Sequence, residues 1–319
     1  MGKPVAGCVR HRGHALIDAD VDRAALILRE GGLVAFPTET VYGLGADASS
    51  REALRRLYAV KGRPSAHPVI VHVASASQLG DWAVDVPAAA LALAEAFWPG
   101  PLTMVLRRAP HVLDEVSGGR DTVGLRVPNA QLALALLEVF GGGIAAPSAN
   151  RFGHVSPTTA EAVRAELRDT VEEVLDGGAC HVGVESTIIE LIGERPALLR
   201  PGAVTMSQLE AVLGEPISGV RGESRAPGML ASHYAPAAVV EVVTADALDA
   251  RTSALRSAGK HVVTIVPSAD LEADARALYA CLRAADAEGA DVVLAVLPHE
   301  EGIGAAIADR LRKAAGPRG

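Results

Sequence analysis

The sequence predicts an α/β protein: a twisted mixed sheet with helices, followed by a small doubly wound βα domain. Three observations carry this. Strand and helix periods alternate irregularly as far as Val204. From Ala238 three apolar runs of strand length each precede an amphipathic stretch. The 319 residues also exceed what one core commonly holds. We expect a first domain over 15–205, a linker over 206–237 and a second domain over 238–319.

In chain order, Asp20 to Glu30 reads as a helix because Val21, Ala24, Ala25 and Leu28 share a face. GLVAFPT follows as a strand. SSREALRRLYAV is a helix with Ser49 and Glu52 spaced as a capping box and Leu54, Leu57 and Tyr58 turned inward. Strand PVIVHVA and an alanine-rich helix from Pro87 to Phe97 come next. PLTMVL, TVGLRVP and GIAAPS are short strands, with helix Gln131 to Phe140 before the last. The block closes near ALLRPGAV. In the second domain AAVVEVV, HVVTIV and DVVLAVL are strands, each followed by a helix: Ala247 to Ser257, Leu271 to Ala285 and Ile303 to Lys313. This domain has no glycine-rich phosphate turn and no cluster of His, Cys or Asp, so alone it reads as a scaffold. RGESRAPGMLASHYAP between the two has linker composition. Met229, His233 and Tyr234 are odd choices for a spacer, and leave a lid as the alternative.

Hydrophobic residues make up 49% and charged residues 21%, the balance of a chain that buries a full core. Aromatics are only 3% and the net charge is −8, which argues against gripping a nucleic-acid backbone as the main task. Cys8, Cys180 and Cys281 form no CxxC, so a reduced, cytoplasmic protein is expected. There is no apolar run of membrane-spanning length.

The candidate chemistry begins at KGRPSAHPVIVHV, where Lys61 and Arg63 are pinned between a helix and a strand by Gly62 and Pro64. Paired cations beside glycine suggest a phosphate ligand, but GxxxxGK(S/T) is absent. GLGADA matches GxGxxA, yet the basic pair precedes the next strand and Pro37 interrupts the first, so its glycines read as a tight turn. Thr38 and Thr40 flank Glu39 at a strand end, as a turn or as a pocket wall. In AAPSANRFGHVSPTTAEAV, Ser148, Asn150 and Ser156 precede a helix starting at Pro157 or Thr158. Thr158 and Glu161 would form a capping box there, and the helix N-terminus would also suit an anion. Arg126 sits in an apolar strand, explained by a structural salt bridge or by a substrate carboxylate. Ser186 with Thr187, and Arg200, carry the same two readings. His72, on an apolar strand, reads as a core histidine. Cys8, His11 and His14 are one ligand short of a closed zinc site and read as an irregular tail. The inventory is cations, hydroxyls and amides without a nucleophile or carboxylate pair, which suits charge-stabilising chemistry at phosphorus.

FPTETVYGLGADA, KGRP with HPVIVHV, FWPGPLT, GLRVP, APSAN and ESTII, in this order, closely resemble the YrdC family. APGMLASHYAP and the terminal GIGAAIADRLRKAA resemble its long, two-domain form. The resemblance covers about Ala15 to Lys313. It implies a YrdC-like sheet with a Rossmann-like C-terminal domain, and synthesis of threonylcarbamoyl-AMP from L-threonine, bicarbonate or CO2, and ATP, releasing pyrophosphate. The product would go to a separate tRNA threonylcarbamoyltransferase complex for N6-threonylcarbamoyladenosine at tRNA position 37. The KxR and SxN signature falls on Lys61, Arg63, Ser148 and Asn150, implied to be catalytic. Thr40, His72, Arg126, Ala146 and Ser186 would bind threonine. Arg63, His67, Thr122, Ser148, Ser156, Arg200, His233 and Tyr234 would face ATP, with Mg2+ held through the phosphates and by no protein ligand. His67 stands where relatives often carry Asn, and Ala226 where they often carry Ser.

Two other readings remain. A basic cleft in such a core could bind duplex RNA, against the −8 charge. A carbamoyl-phosphate-dependent relative making carbamoyl-adenylate would carry additional domains, and none is visible in the sequence.

Overall fold

The structure is a computed structural model in which residues 12–219 and 233–317 are described. The chain opens with α1 (Arg12–Arg29), β1 (Val34–Phe36), β2 (Gly43–Asp47), α2 (Arg51–Lys61) and β3 (Ile70–His72). The one-turn α3 (Leu79–Trp82), α4 (Ala88–Phe97), β4 (Leu102–Arg107), the short α5 (Asp114–Ser117), β5 (Thr122–Arg126) and α6 (Gln131–Phe140) follow. Then come β6 (Ile144–Ala145), α7 (Ala160–Leu167), β7 (Glu173–Val174), β8 (Thr187–Glu190), β9 (Ala197–Arg200) and α8 (Met206–Leu213). The strands form one mixed sheet in the order β7-β1-β2-β6-β3-β5-β4-β8-β9. Helices α1 and α6 cover one face at the β1 end, where Val21, Ala24, Ala25 and Leu28 pack with Leu136, Leu137, Val34 and Phe36. On the other face Leu54, Leu57, Leu93, Leu102, Met104 and Leu125 belong to the largest cluster.

Strand pairing sets a row of side chains across the sheet. His72 pairs with Arg126, Thr103 with Ile188, and Ile188 with Arg200. One step from the antiparallel Met104–Leu125 pair brings Arg126 beside Thr103. Because successive side chains alternate between faces, the row lies on one face while Val71 and Leu125 enter the core behind it.

The second unit contains β10 (Val239–Val243), α9 (Ala245–Ser257), β11 (Val262–Ile265), α10 (Leu271–Ala287), β12 (Val292–Val296) and α11 (Gly304–Ala314). Its sheet is parallel, in the order β10-β12-β11. The chain moves outward from β10 to β11 and back to β12. Right-handed crossovers then put α9 on one face and α10 on the other, the doubly wound arrangement expected from the sequence. Leu248 and Leu255 of α9 accordingly pack with Val262, Val292 and Leu294. Leu278, Leu282, Ile307 and Leu311 pack on the opposite face with Val240, Val293 and Ala295. That second cluster also takes in Val41, Val155 and Val184 of the first unit and Tyr234 of the connecting segment. The second sheet and its helices thus share one apolar cluster with connecting loops of the first unit.

Several local expectations are corrected. GLGADA is strand β2 instead of a turn, and a Cβ on Gly45 would stand 2.9 Å from both Ile144 and Phe36. The glycine serves close packing. Ser50, not Ser49, caps α2 by accepting from the Ala53 N–H, and the Ser49 hydroxyl instead bonds Asp47. Thr159, not Thr158, caps α7, which starts at Ala160. Helix α1 begins at Arg12, earlier than Asp20. The stretch 206–219 of the expected linker contains α8, held by a full capping box at Thr205 and Gln208. Cys8, His11, Ala226 and Met229 lie outside the described residues. No helix among the described residues is long and apolar enough to cross a membrane.

Candidate active site

The polar row forms the floor of a cavity of about 50 Å3 lined by Thr38, Thr40, Arg63, Ile70, His72, Arg126, Ala146, Ser148, Glu185, Ser186, Arg200, His233 and Tyr234, among others. Helix α2 ends at Gly62, whose left-handed backbone (φ 62°) reverses the chain between Lys61 and Arg63. Lys61 is thereby turned under the floor, where Nζ donates to the carbonyls of Ser148 and Asn150. Arg63 faces the cavity, with Nη2 on the Pro68 carbonyl at 2.9 Å and the guanidinium 5.6 Å from the Phe152 ring centre. The Ser148–Asn150 loop is tied to β2 by the Leu44 N–H to Pro147 O and the Ala149 N–H to Tyr42 O bonds.

Thr38 accepts from the Thr40 and Val41 N–H groups and shapes the turn. Arg126 is only 4% exposed, against 1% for Glu39, and its Nη2 lies 2.8 Å from that carboxylate and 3.0 Å from Thr40 Oγ1. Ser186 Oγ lies 2.8 Å from Thr103 Oγ1 and accepts from Arg200 Nη2 at 3.0 Å, while Arg200 Nε donates to the Ser186 carbonyl. The fourth wall is the end of the connecting segment. The His233 N–H donates to Lys313 O and the Ala235 N–H to Gly153 O. Tyr234 sits at φ 61°, a strained backbone for a non-glycine residue of the kind concentrated at functional sites. Phe152, His233, Tyr234 and Tyr279 form successive ring contacts with centres 5.9, 4.1 and 5.8 Å apart.

Burial lowers the pKa of Lys61 well below its usual value, and neighbouring Arg63 adds to the shift. Burial likewise lowers Arg63 and Arg200. It pulls His72 and His233 to about 3. Cations therefore outnumber acids along this cavity, where Arg63, Arg126 and Arg200 share the lining with Glu185 and Arg126 also pairs with Glu39. Burial pushes the Glu185 carboxyl up, but Arg310, Arg200 and the Ser156 hydroxyl overcome this and hold it at about 2. An arrangement with this surplus of positive charge, hydroxyls and amides is built to receive an anion and stabilise charge developing on it.

A family model described as Telomere recombination, for Sua5, YciO and YrdC proteins, matches residues 26–202, over half of the chain. The chain belongs to the Sua5/YciO/YrdC family. A second model, described as Threonylcarbamoyl-AMP synthase, C-terminal domain, matches residues 204–316. The chain is 43% identical to the threonylcarbamoyl-AMP synthase of Pyrococcus abyssi over 92% of its own length and 94% of the relative's. It is 41% identical to that of Bacillus subtilis, covering 94% of each. The crystal structure of P. abyssi Sua5 complexed with L-threonine superposes with a TM-score of 0.88 at 41% identity, covering 93% of this chain and 94% of that one.

Of the residues to which the YrdC resemblance points, Thr40, Arg63, His72, Arg126, Ala146, Ser148, Ser186, Arg200, His233 and Tyr234 line the cavity. Lys61 and Asn150 lie under its floor, Asn150 Nδ2 donating to the Arg151 and His154 carbonyls. Ser156 is buried against Glu185 rather than at the cavity surface. His67 stands beside Phe152, ring centres 5.4 Å apart, and Thr122 is at the far end of β5 from Arg126; neither lines the cavity. Sequence reasoning gave no role to Glu185 or to Phe152. It weighed Glu39 only within a turn or pocket wall and not as the partner of Arg126, although a lone arginine in an apolar strand calls for an acid.

His72 and His233 keep folded-state pKa values below the ordinary 6.5, so the unfolded chain takes up their protons first. Their contribution to stability is full above pH 6.5 and is lost as pH falls toward 3. Each contributes a slope of up to about 1.4 kcal/mol per pH unit within that window. Urea melts at pH 7, 6 and 5 are expected to show this decline, and His72→Gln to remove about half of it. A slope that His72→Gln leaves unchanged would count against the buried neutral histidine.

Proposed function

We propose that the chain is a threonylcarbamoyl-AMP synthase, joining L-threonine, bicarbonate or CO2, and ATP with release of pyrophosphate. The observation that carries the reading is the set His72, Arg126 and Arg200, with Arg63 and Ser186, opening onto one cavity. The relative solved with L-threonine shares the fold along nearly its whole length.

In this reading the Arg126 guanidinium receives the threonine carboxylate, and Thr40, His72, Ser186 and the Ala146 backbone shape the rest of the pocket. The threonine amine captures CO2 as a carbamate. A carbamate oxygen then attacks the α-phosphorus in line, forming the P–O bond as the bond to pyrophosphate breaks. The carbamate is already a nucleophile, so no protein base is required. Arg63, Arg200 and Lys61 offset charge on the phosphates, and Ser148 and Asn150 orient them. Mg2+ enters with ATP and neutralises phosphate charge; Glu185, the carboxylate among the cavity-lining residues, is already engaged by three donors. Roughly 10–15 Å3 suffices for one water, so the cavity of about 50 Å3 holds only a few. His233 and Tyr234 must therefore withdraw as the nucleotide enters, which makes the end of the connecting segment a lid. The product passes to a tRNA threonylcarbamoyltransferase complex, and the cytoplasm, where ATP and tRNA meet, is the compartment this reading requires.

The test is pyrophosphate release from Mg·ATP and bicarbonate with and without L-threonine, alongside mass detection of the adenylate. Threonine-dependent release with the threonylcarbamoyl-AMP mass is expected. Release that follows carbamoyl phosphate instead, or salt-sensitive RNA binding without release, would overturn the proposal.

A further inference from the structure

Glu185 immediately precedes Ser186 and forms part of the cavity wall while only 5% exposed. Three donors converge on its carboxylate: Ser156 Oγ at 2.6 Å, Tyr279 OH at 2.7 Å and Arg310 Nε at 2.8 Å. The last two come from α10 and α11 of the second unit. Arg310 has no exposed surface and is the largest such side chain among the described residues. Its guanidinium also donates to the Pro201 carbonyl at 3.0 Å and the Glu185 carbonyl at 3.3 Å, pairs with Asp309, and lies 5.3 Å from the Tyr234 ring centre. One side chain of α11 thus touches the chain beside Ser186, the chain beside Arg200, and Tyr234 itself.

A buried carboxylate requires a counter-charge. After Arg310, the cation that acts most on Glu185 is Arg200, which lines the cavity and holds Ser186. With Arg310 removed, Glu185 would turn to Arg200 and compete with the triphosphate for the same guanidinium. We propose that Arg310 is a positioning residue of the active site, supplied by the second unit, which holds Glu185 and so keeps Arg200 disposed toward ATP. The proposal rests on the synthase reading above and gives the C-terminal unit a part in nucleotide binding beyond that of a scaffold.

The test compares KM for ATP and for threonine in the full chain carrying Arg310→Met, Tyr279→Phe, or Arg310→Met with Glu185→Gln, each checked by circular dichroism to be folded at the assay temperature. Arg310→Met is expected to raise KM for ATP about tenfold or more, as for loss of a charge-assisted contact, with KM for threonine little changed. Tyr279→Phe removes one donor while leaving the ring, and is expected to move KM for ATP in the same direction by about threefold. Neutralising Glu185 in the Arg310→Met chain is expected to recover most of the ATP affinity. A merely structural Arg310 would shift both KM values together, or neither, and either result overturns the inference, as does a double variant without recovery. If Arg310→Met does not fold, Tyr279→Phe decides alone. Absence of threonine-dependent release in the unaltered chain would instead overturn the synthase reading itself.

Discussion

Lys61→Ala is expected to lower threonine-dependent pyrophosphate release by about 10²–10³-fold, the usual loss when one preorganised charge-stabilising donor is removed from a dry site. The lysine is 2% exposed, and its ammonium is shared between the Ser148 and Asn150 carbonyls. Burial and Arg63 both disfavour its charge in the ligand-free chain, with Glu166 opposing them. In the synthase reading proposed above, an incoming triphosphate would supply the counter-charge that the protein withholds, and the lysine would interact most strongly when negative charge builds on the departing pyrophosphate. Truncation also leaves two buried carbonyls without their donor, which costs about 1–3 kcal/mol for each that stays unpaired. Activity and a thermal melt are therefore measured together. A folded Lys61→Ala protein within tenfold of the unaltered rate would remove Lys61 from the mechanism.

The second large effect concerns Arg126 and separates the two readings its sequence position allowed. Arg126→Met strands Glu39 as a buried carboxylate, and breaking such a pair by deleting one partner costs about 3–5 kcal/mol. Replacing both partners, Arg126→Met with Glu39→Gln, removes the uncompensated charge and is expected to restore most of the stability. Activity at moderate threonine concentration should stay lost in both proteins, because neither retains a guanidinium to pair bidentately with the amino-acid carboxylate. Denaturant midpoints together with threonine titrations report the two effects separately. Recovery of threonine affinity in the double variant would show that Arg126 serves the fold alone.

Much of this site was legible from sequence because its parts are local. The spacing of Lys61, Gly62 and Arg63 already placed two cations around a turn, and Arg126 stood out as a charge in an apolar strand, whereas His72 read as a core histidine and is instead at the cavity. Which strands stand side by side is not local, and that pairing alone sets His72 next to Arg126 and Ile188 next to Arg200. GLGADA looked like a turn because glycine permits one. Its second glycine is instead needed where β2 passes between Phe36 and Ile144. Both capping assignments slipped by one residue because Ser49 and Ser50, and Thr158 and Thr159, are equally able to cap. Glu185 and Arg310 are 125 residues apart, and nothing near either announces the other.

The apolar cluster that joins Val41, Val155 and Val184 to α10 and α11 has a consequence for how such a chain changes over generations. The seam drawn by chain order, near residue 205, is not the seam drawn by packing. Gly183, with φ 84° and a hypothetical Cβ only 2.4 Å from the Arg276 backbone, belongs to the first segment by position but to the fit of the second by shape. A recombination event that exchanged the C-terminal segment alone would hand the recipient a mismatched counterpart for this surface. Val184 and Leu278, far apart in the gene, belong to the same cluster, so substitutions at the two are expected to be coupled in their effect on stability.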